Sequence, residues 1–217
     1  MLKLVQRTLL EFIRLFVVGL WRISGWSLPH GLPKLDKYVI IAIPHTTNWD
    51  YYHMLSVMTH ERRFPNVTIK DSWMKTPIVG TLMRWLGGIS IDRSTSHNVS
   101  DQLAQKLRDA ERMVLIFTPE GTRSHQQYWR TGFYYTAVKA GVPIACAYID
   151  YGKKIVSMEL LLQPTGDLYA DFEIIKAYYE QNGVGKYPER KNALALKPRE
   201  QAEVEAEGTK TSDKLEA

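Results

Sequence analysis

Apolar positions along the chain fall into two kinds of spacing. Short runs rich in β-branched residues occur at Tyr38–Ile43 (YVIIAI), Val67–Lys70, Ile89–Ile91, Met113–Thr118 (MVLIFT) and Pro143–Ile149. Several are apolar at nearly every position and leave no face for solvent, as expected of strands covered on both sides in a parallel sheet. Between them, Trp49–His60, Val99–Glu111 and Gly132–Ala140 have helical spacing. Val99, Leu103 and Leu107 recur every four residues, and Gly141 supplies a stop. This alternation predicts one α/β domain with a largely parallel central sheet flanked by helices.

The N-terminal segment differs. Over residues 2–26, Lys3, Arg7, Glu11, Arg14 and Arg22 recur mostly at three- and four-residue steps, which gathers the charges near one face of an amphipathic helix. Its longest uninterrupted apolar stretch, Leu15–Trp21, is far shorter than the roughly 20 residues that span a bilayer. Glu11 and Arg14 also interrupt the hydrophobic region a cleavable signal peptide would need. Four cations and one anion on the polar side, with Trp21 and Trp26 near the end, suit a helix lying in the headgroup zone of a membrane. Packing against the chain's own domain is the alternative, and one apolar face can serve both. From Pro188 onward there is no aromatic residue and the chain ends EAEGTKTSDKLEA, the composition of a solvated tail. The expected organisation is therefore a membrane-associating helix (1–26), a folded domain (27–187) and a polar, disordered tail (188–217). No internal repeat is found.

Composition narrows the partners. With 217 residues, 45% hydrophobic and 24% charged, the chain can build a sizeable core, which excludes collagen-like and wholly disordered classes. The single Cys146 rules out an internal disulfide and a multi-cysteine zinc site, fits a reducing compartment, and reads as a small buried apolar residue. The formal charge of +5 is uneven: residues 188–217 carry 6 basic and 7 acidic side chains, so the folded part is the basic part. An anionic partner is implied, and a phosphorylated metabolite, an anionic membrane face or nucleic acid would each qualify. Nucleic acid is disfavoured, because the cations cluster near strand ends and the N-terminal helix without a nucleic-acid motif.

Three segments could carry chemistry. In Pro44-His45-Thr46-Thr47-Asn48-Trp49-Asp50 an apolar strand gives way to a helix, the junction where ligands sit in open α/β sheets. His45 and Asp50 lie too far round a continuous helix to pair. They can meet if His45 sits in the turn and Asp50 in the first helical turn. A carboxylate so placed fixes the imidazole tautomer and stabilises the imidazolium formed when the other nitrogen takes a proton, which makes His45 a candidate general base. Thr47-x-x-Asp50 equally matches a capping box, in which Asp50 only closes the helix start. In Phe117-Thr118-Pro119-Glu120-Gly121-Thr122-Arg123-Ser124, Gly121 permits close backbone approach, Thr122 and Ser124 offer hydroxyls, and Arg123 offers a fork for phosphate oxygens. A solvated turn with Arg123 paired to Glu120 is the plainer reading. Gly87-Gly88-Ile89-Ser90-Ile91-Asp92-Arg93 brings Arg93 to the same sheet edge if the strands are parallel. The remaining histidines, His30, His53, His60, His97 and His125, read as surface or helix-face residues.

The blocks HTTNWD, GGISIDR, FTPEGTRS and GVPIA stand in the order and at roughly the spacing of the four motifs of the glycerolipid acyltransferases, the 1-acyl-glycerol-3-phosphate acyltransferases among them. The resemblance covers about residues 38–155, and the segments Lys70–Trp73 and Trp129–Tyr134 resemble a compact bacterial branch. It implies that His45 is the general base on an acceptor hydroxyl and Asp50 its orienter. Arg93, Glu120, Gly121, Thr122 and Arg123 would hold the acceptor's glycerol phosphate, Lys70 or a backbone N–H would stabilise the oxyanion, and Val142, Pro143 and Ile144 would shape the pocket. Pro44 stands where many members have asparagine, and Ala147 where a second proline often follows.

The expected activity is transfer of a fatty acyl group from acyl-CoA or acyl carrier protein to a lysophospholipid-like acceptor, 1-acyl-glycerol-3-phosphate foremost, in residues 27–187. It would occur at the cytoplasmic face of a bacterial inner membrane, with the protein peripherally attached. No cofactor and no metal are implied, since His45 and Asp50 are too few ligands for zinc. Two alternatives are an acyltransferase for another lysolipid, such as an amino-acid-containing one, and a non-catalytic lipid-binding module.

Overall fold

The computed structural model describes residues 2–62, 66–70, 74–77, 80–81, 88–91, 96–122, 125–190 and 192–198. In chain order the elements are α1 (Leu2–Ile23), β1 (Lys37–Ile43), α2 (Trp49–His60), β2 (Val67–Lys70), β3 (Gly88–Ile91), α3 (Ser96–Asp109), β4 (Met113–Phe117), α4 (Gly132–Ala140), β5 (Ile144–Asp150), β6 (Ile155–Leu162) and α5 (Leu168–Glu180), followed by a 3₁₀ turn at Pro188–Arg190. The main sheet has the order β4-β1-β5-β6. β1 runs parallel to β4 and β5, and β6 is the antiparallel edge. A parallel pair, β2 and β3, joins it through a parallel bridge from Asn66 to Leu115.

β1 shows why its apolar run has no polar face. Val39, Ile41 and Ile43 point into one core with Leu115, Ile144 and Cys146, where Leu103 and Leu107 of α3, Phe133 of α4 and Phe172 of α5 cover them. Tyr38, Ile40 and Ala42 point the other way, into a second core with Ala145, Val156 and Met158, covered by Trp21 of α1 and by Met54, Val57 and Met58 of α2. The period of two along the strand thus feeds two helical layers, one on each face. Gly141 ends α4 in the left-handed conformation at φ +68°, with its N–H on the Val138 carbonyl. Cys146 is buried, and burial pushes its thiol up to about 12.

Three expectations are revised. β6 and α5 were not anticipated. β6 is an edge strand of mixed burial, and α5 is capped by Asp167, which accepts the N–H groups of Tyr169 and Ala170. Residues 192–198 lie on the domain instead of trailing in solvent: Leu194 and Leu196 pack against the first core, and the Ala195 carbonyl accepts the Trp129 N–H at 2.9 Å. Trp21 and Trp26 are not headgroup anchors; Trp21 is fully buried and Trp26 nearly so. Elsewhere on α1, Phe12, Leu15, Phe16, Leu20 and Ile23 are exposed, Phe16 at 67% and Ile23 at 86%. Among the described residues no helix is long and apolar enough to cross a membrane.

Candidate active site

The parallel strands β4, β1 and β5 end at one sheet edge, and the segments leaving β1 and β4 build the site there. Pro44–Asn48 turns the chain from β1 into α2, with a cis Ile43–Pro44 bond. His45 lies in that turn and Asp50 in the first turn of α2, so the two side chains meet, imidazole Nδ1 3.2 Å from Asp50 Oδ2. The same oxygen accepts the backbone N–H groups of Thr46 at 2.7 Å and Thr47 at 2.9 Å. The other, Oδ1, accepts the Tyr151 hydroxyl at 2.8 Å. The capping reading and the pairing reading therefore describe one carboxylate. Asp50 closes the turn and faces the imidazole, and its buried oxygens are satisfied by their donors.

Across the edge, β4 runs into Thr118–Thr122. Gly121 adopts φ +69°, and a Cβ there would lie 2.6 Å from Arg130 Nε, so only glycine lets the Arg130 side chain pass. The Arg130 N–H is fixed on the Pro119 carbonyl at 2.8 Å. Glu120 turns inward. It is 3% exposed, and its Oε2 accepts the backbone N–H of His45 at 2.7 Å. Burial holds its carboxyl above the ordinary value of 4.5, while the hydrogen bond from the His45 N–H acts in the opposite direction.

Between these segments opens a cavity of about 920 Å³. Its wall carries His45, Asn48, Tyr51, Thr122 and Arg130 as polar groups, with an apolar side from Val99 and Leu103 of α3 and Phe133 of α4. That volume sits at the upper end of the roughly 300–1,000 Å³ usual for ligand pockets. With Nδ1 turned to Asp50, Nε2 is the imidazole nitrogen left for a molecule in the cavity. Among the described residues no group of three or more His, Cys, Asp or Glu side chains gathers as a metal site would require.

The residues singled out in the sequence divide accordingly. His45, Asp50, Gly121 and Thr122 converge on the cavity. Glu120 does not line it and supports His45 from behind. Lys70 closes β2. Arg93 and Arg123 lie outside the described residues. Val142, Pro143 and Ile144 do not shape the pocket: they precede or begin β5, at the end of the sheet away from the cavity, where Val142 and Ile144 are core residues.

His53 is not a surface residue but a buried one. It is stacked on Trp26 with ring centroids 3.7 Å apart and accepts the Trp21 indole N–H at 3.1 Å. Burial lowers its imidazole to about 4. Sequence reasoning missed Tyr151, which reaches Asp50 from 101 residues away, and Asn192, which is buried in the segment read as tail and whose Oδ1 accepts the Gln126 N–H. No local spacing signals either one.

A solved structure, the 1-acyl-sn-glycerophosphate (LPA) acyltransferase PlsC from Thermotoga maritima, shares the fold at a TM-score of 0.58 and 19% identity, over 83% of this chain and 82% of that one. No curated protein matches the sequence. The sequence model of the Acyltransferase family matches residues 27–150, more than half of the chain, which thus belongs to that family.

Proposed function

We propose that this acyltransferase moves a fatty acyl group from the thioester of acyl-CoA or acyl carrier protein to the hydroxyl of a lysophospholipid, with 1-acyl-glycerol-3-phosphate as the leading acceptor. The observation that carries the reading is the His45–Asp50 pair opening into a large cavity whose facing wall holds Thr122 and Arg130. The likeness to an LPA acyltransferase of the same fold supports the choice of acceptor.

A hydroxyl is a weak nucleophile at neutral pH, so His45 Nε2 takes its proton as the oxygen attacks the thioester carbonyl. Asp50, on Nδ1, holds the ring in the tautomer that leaves Nε2 free and stabilises the imidazolium. The new C–O bond forms as the carbonyl becomes an oxyanion. That intermediate collapses, the C–S bond breaks, and the thiolate recovers the proton from His45. A thiolate leaves readily, so one acid–base group suffices. Arg130, held over Gly121, and Thr122 grip the acceptor's phosphate, joined by Arg93 and Arg123.

Lipid substrates reside in a bilayer, and α1 offers the attachment. Trp21 and Val18 seat it on the domain, while Phe12, Phe16, Leu20 and Ile23 form an exposed stripe at helical spacing. We read the protein as peripheral, on the cytoplasmic face, with this stripe in the interface.

The test is purified full-length protein with acyl-CoA or acyl carrier protein thioesters and a lysolipid panel, followed by thiol release and mass-spectrometric product identification. Lysophosphatidate should be acylated best. Acylation confined to an unphosphorylated lysolipid would overturn the phosphate role of the cations and favour the other-lysolipid reading.

A further inference from the structure

The motif pair His45–Asp50 is braced by a residue outside every motif. Tyr151 opens the turn between β5 and β6, and its hydroxyl donates to Asp50 Oδ1 at 2.8 Å. Among the described residues the other hydrogen-bonding contacts of the carboxylate all fall on Oδ2: two backbone N–H groups of the His45 turn, and His45 itself. Tyr151 is thus the contact that fixes the plane of the carboxylate from the far side. Burial and the hydrogen bond to Asp50 both hold its hydroxyl well above the ordinary value of 10, so it remains a protonated donor at every working pH.

Tyr151 is itself held by the end of the N-terminal helix. Its ring meets Trp26 edge-on at 5.0 Å and His53 edge-on at 5.2 Å, and Trp26 and His53 are stacked. Trp21, in the last turn of α1, donates its indole N–H to His53. The backbone is tied in the same place. The Ser27 N–H donates to the Lys154 carbonyl at 3.1 Å, the Val156 N–H to the Ser27 carbonyl at 3.0 Å, and the Lys154 ammonium to the Ser24 carbonyl at 3.0 Å. The turn carrying Tyr151 and the segment ending α1 are therefore one packed unit, and displacing α1 displaces a donor to Asp50.

We infer that Tyr151 is a positioning residue for the His45–Asp50 pair, braced by Trp26 and His53, so that the seating of the N-terminal helix is read out at the reacting imidazole. The inference rests on the base role proposed for His45. It gives the helix a second task besides attachment: the chain is fully active only when α1 lies in its place on the domain.

The experiment uses the full-length protein in mixed micelles, with thiol release measured at varied donor and acceptor. Tyr151→Phe removes only the hydroxyl, and the expected result is a fall in kcat of about 10-fold with KM for both substrates unchanged. Trp26→Ala should lower kcat likewise although it touches neither Asp50 nor the cavity, and Trp26→Phe, which keeps a ring in the stack, should restore most of it. The two effects should not multiply. In Trp26→Ala/Tyr151→Phe the second change should cost less than 3-fold, because both act through one hydrogen bond. If Trp26→Ala fails to fold, Trp26→Leu takes its place in the cycle. Wild-type kcat in Tyr151→Phe, or effects that simply multiply, would overturn the inference. His45→Ala in the same assay separates the layers: if it retains turnover, the base reading fails, whereas an inactive His45→Ala beside a fully active Tyr151→Phe removes this inference alone.

Discussion

Glu120 offers a sharp division between what a motif implies and what the packing does. As a headgroup ligand it would affect acceptor binding and little else. In the structure it is 3% exposed, absent from the cavity wall, and spends Oε2 on the His45 N–H at 2.7 Å. Glu120→Ala would leave that N–H without its acceptor in a buried place. Losing a hydrogen bond to a charged group costs about 2–3 kcal/mol, and at roughly 2–4 °C per kcal/mol for a chain of this size Tm should fall by about 5–10 °C. With His45 loosened, kcat should fall at least 10-fold while KM for the acceptor stays within 2-fold. Glu120→Gln keeps an acceptor oxygen and should recover most of both losses. It should also change the pH dependence. Because the folded-state carboxyl lies above 4.5, folding disfavours its charge, so this group's contribution to stability is complete below about pH 4.5 and is lost as pH rises through the raised value. Glu120→Gln should lack that decrement. Thermal unfolding between pH 4 and 8, paired with steady-state kinetics, supplies both readouts. A Glu120→Ala variant with unchanged Tm and kcat but a greatly raised acceptor KM would refute the support role and return Glu120 to the headgroup.

Gly121→Ala should raise the acceptor KM about 5- to 20-fold and lower Tm by a few degrees. A Cβ would collide with Arg130 Nε, and left-handed backbone costs a non-glycine residue about 1–2 kcal/mol; kinetics on a phosphorylated and an unphosphorylated lysolipid would separate the two effects. His53 is lowered to about 4 from 6.5, so it should contribute stability that is present above pH 6.5 and lost as pH falls toward 4, about 3 kcal/mol in all. His53→Phe should flatten that slope in acid-unfolding curves. Replacing Phe12, Phe16, Leu20 and Ile23 by serine should reduce sedimentation with anionic vesicles at least 10-fold while leaving turnover of a short-chain soluble acceptor within 2-fold, since these side chains are exposed and pack little against the domain. Equal vesicle binding would place the attachment elsewhere.

What could be read from the sequence follows the range of the forces involved. β1, α2 and α4 declare themselves because uniform apolar runs and helical spacing are local properties, and the turn between β1 and α2 brings His45 and Asp50 together over five residues. β6 escaped because an edge strand half open to solvent, Ile155–Leu162, lacks the uniform apolar signature. α5 had a signal that could have been used, Asp167 as a cap before Leu168–Glu180. The same holds for residues 192–198, where Leu194 and Leu196 alternate with alanine as in a strand-like strap with one buried side. Trp21 looked interfacial because an indole fits a headgroup region and a protein core equally well, and only the presence of His53 as acceptor decides. Tyr151 was not legible at all. Its contact with Asp50 depends on how the β5–β6 turn packs against the end of α1, which no spacing in one chain encodes.

In the proposed mechanism His45 removes the proton from the acceptor hydroxyl during acyl transfer. Single-turnover thiol release from an acyl thioester, with saturating acceptor, tests it by comparing wild type with His45→Ala at matched folding as judged by Tm. His45→Ala should lose about 10²- to 10⁴-fold in the chemical step, the usual contribution of a general base, with Tm changed by no more than a few degrees. A well-folded His45→Ala protein that releases thiol and forms the acylated lipid at close to the wild-type rate would contradict it.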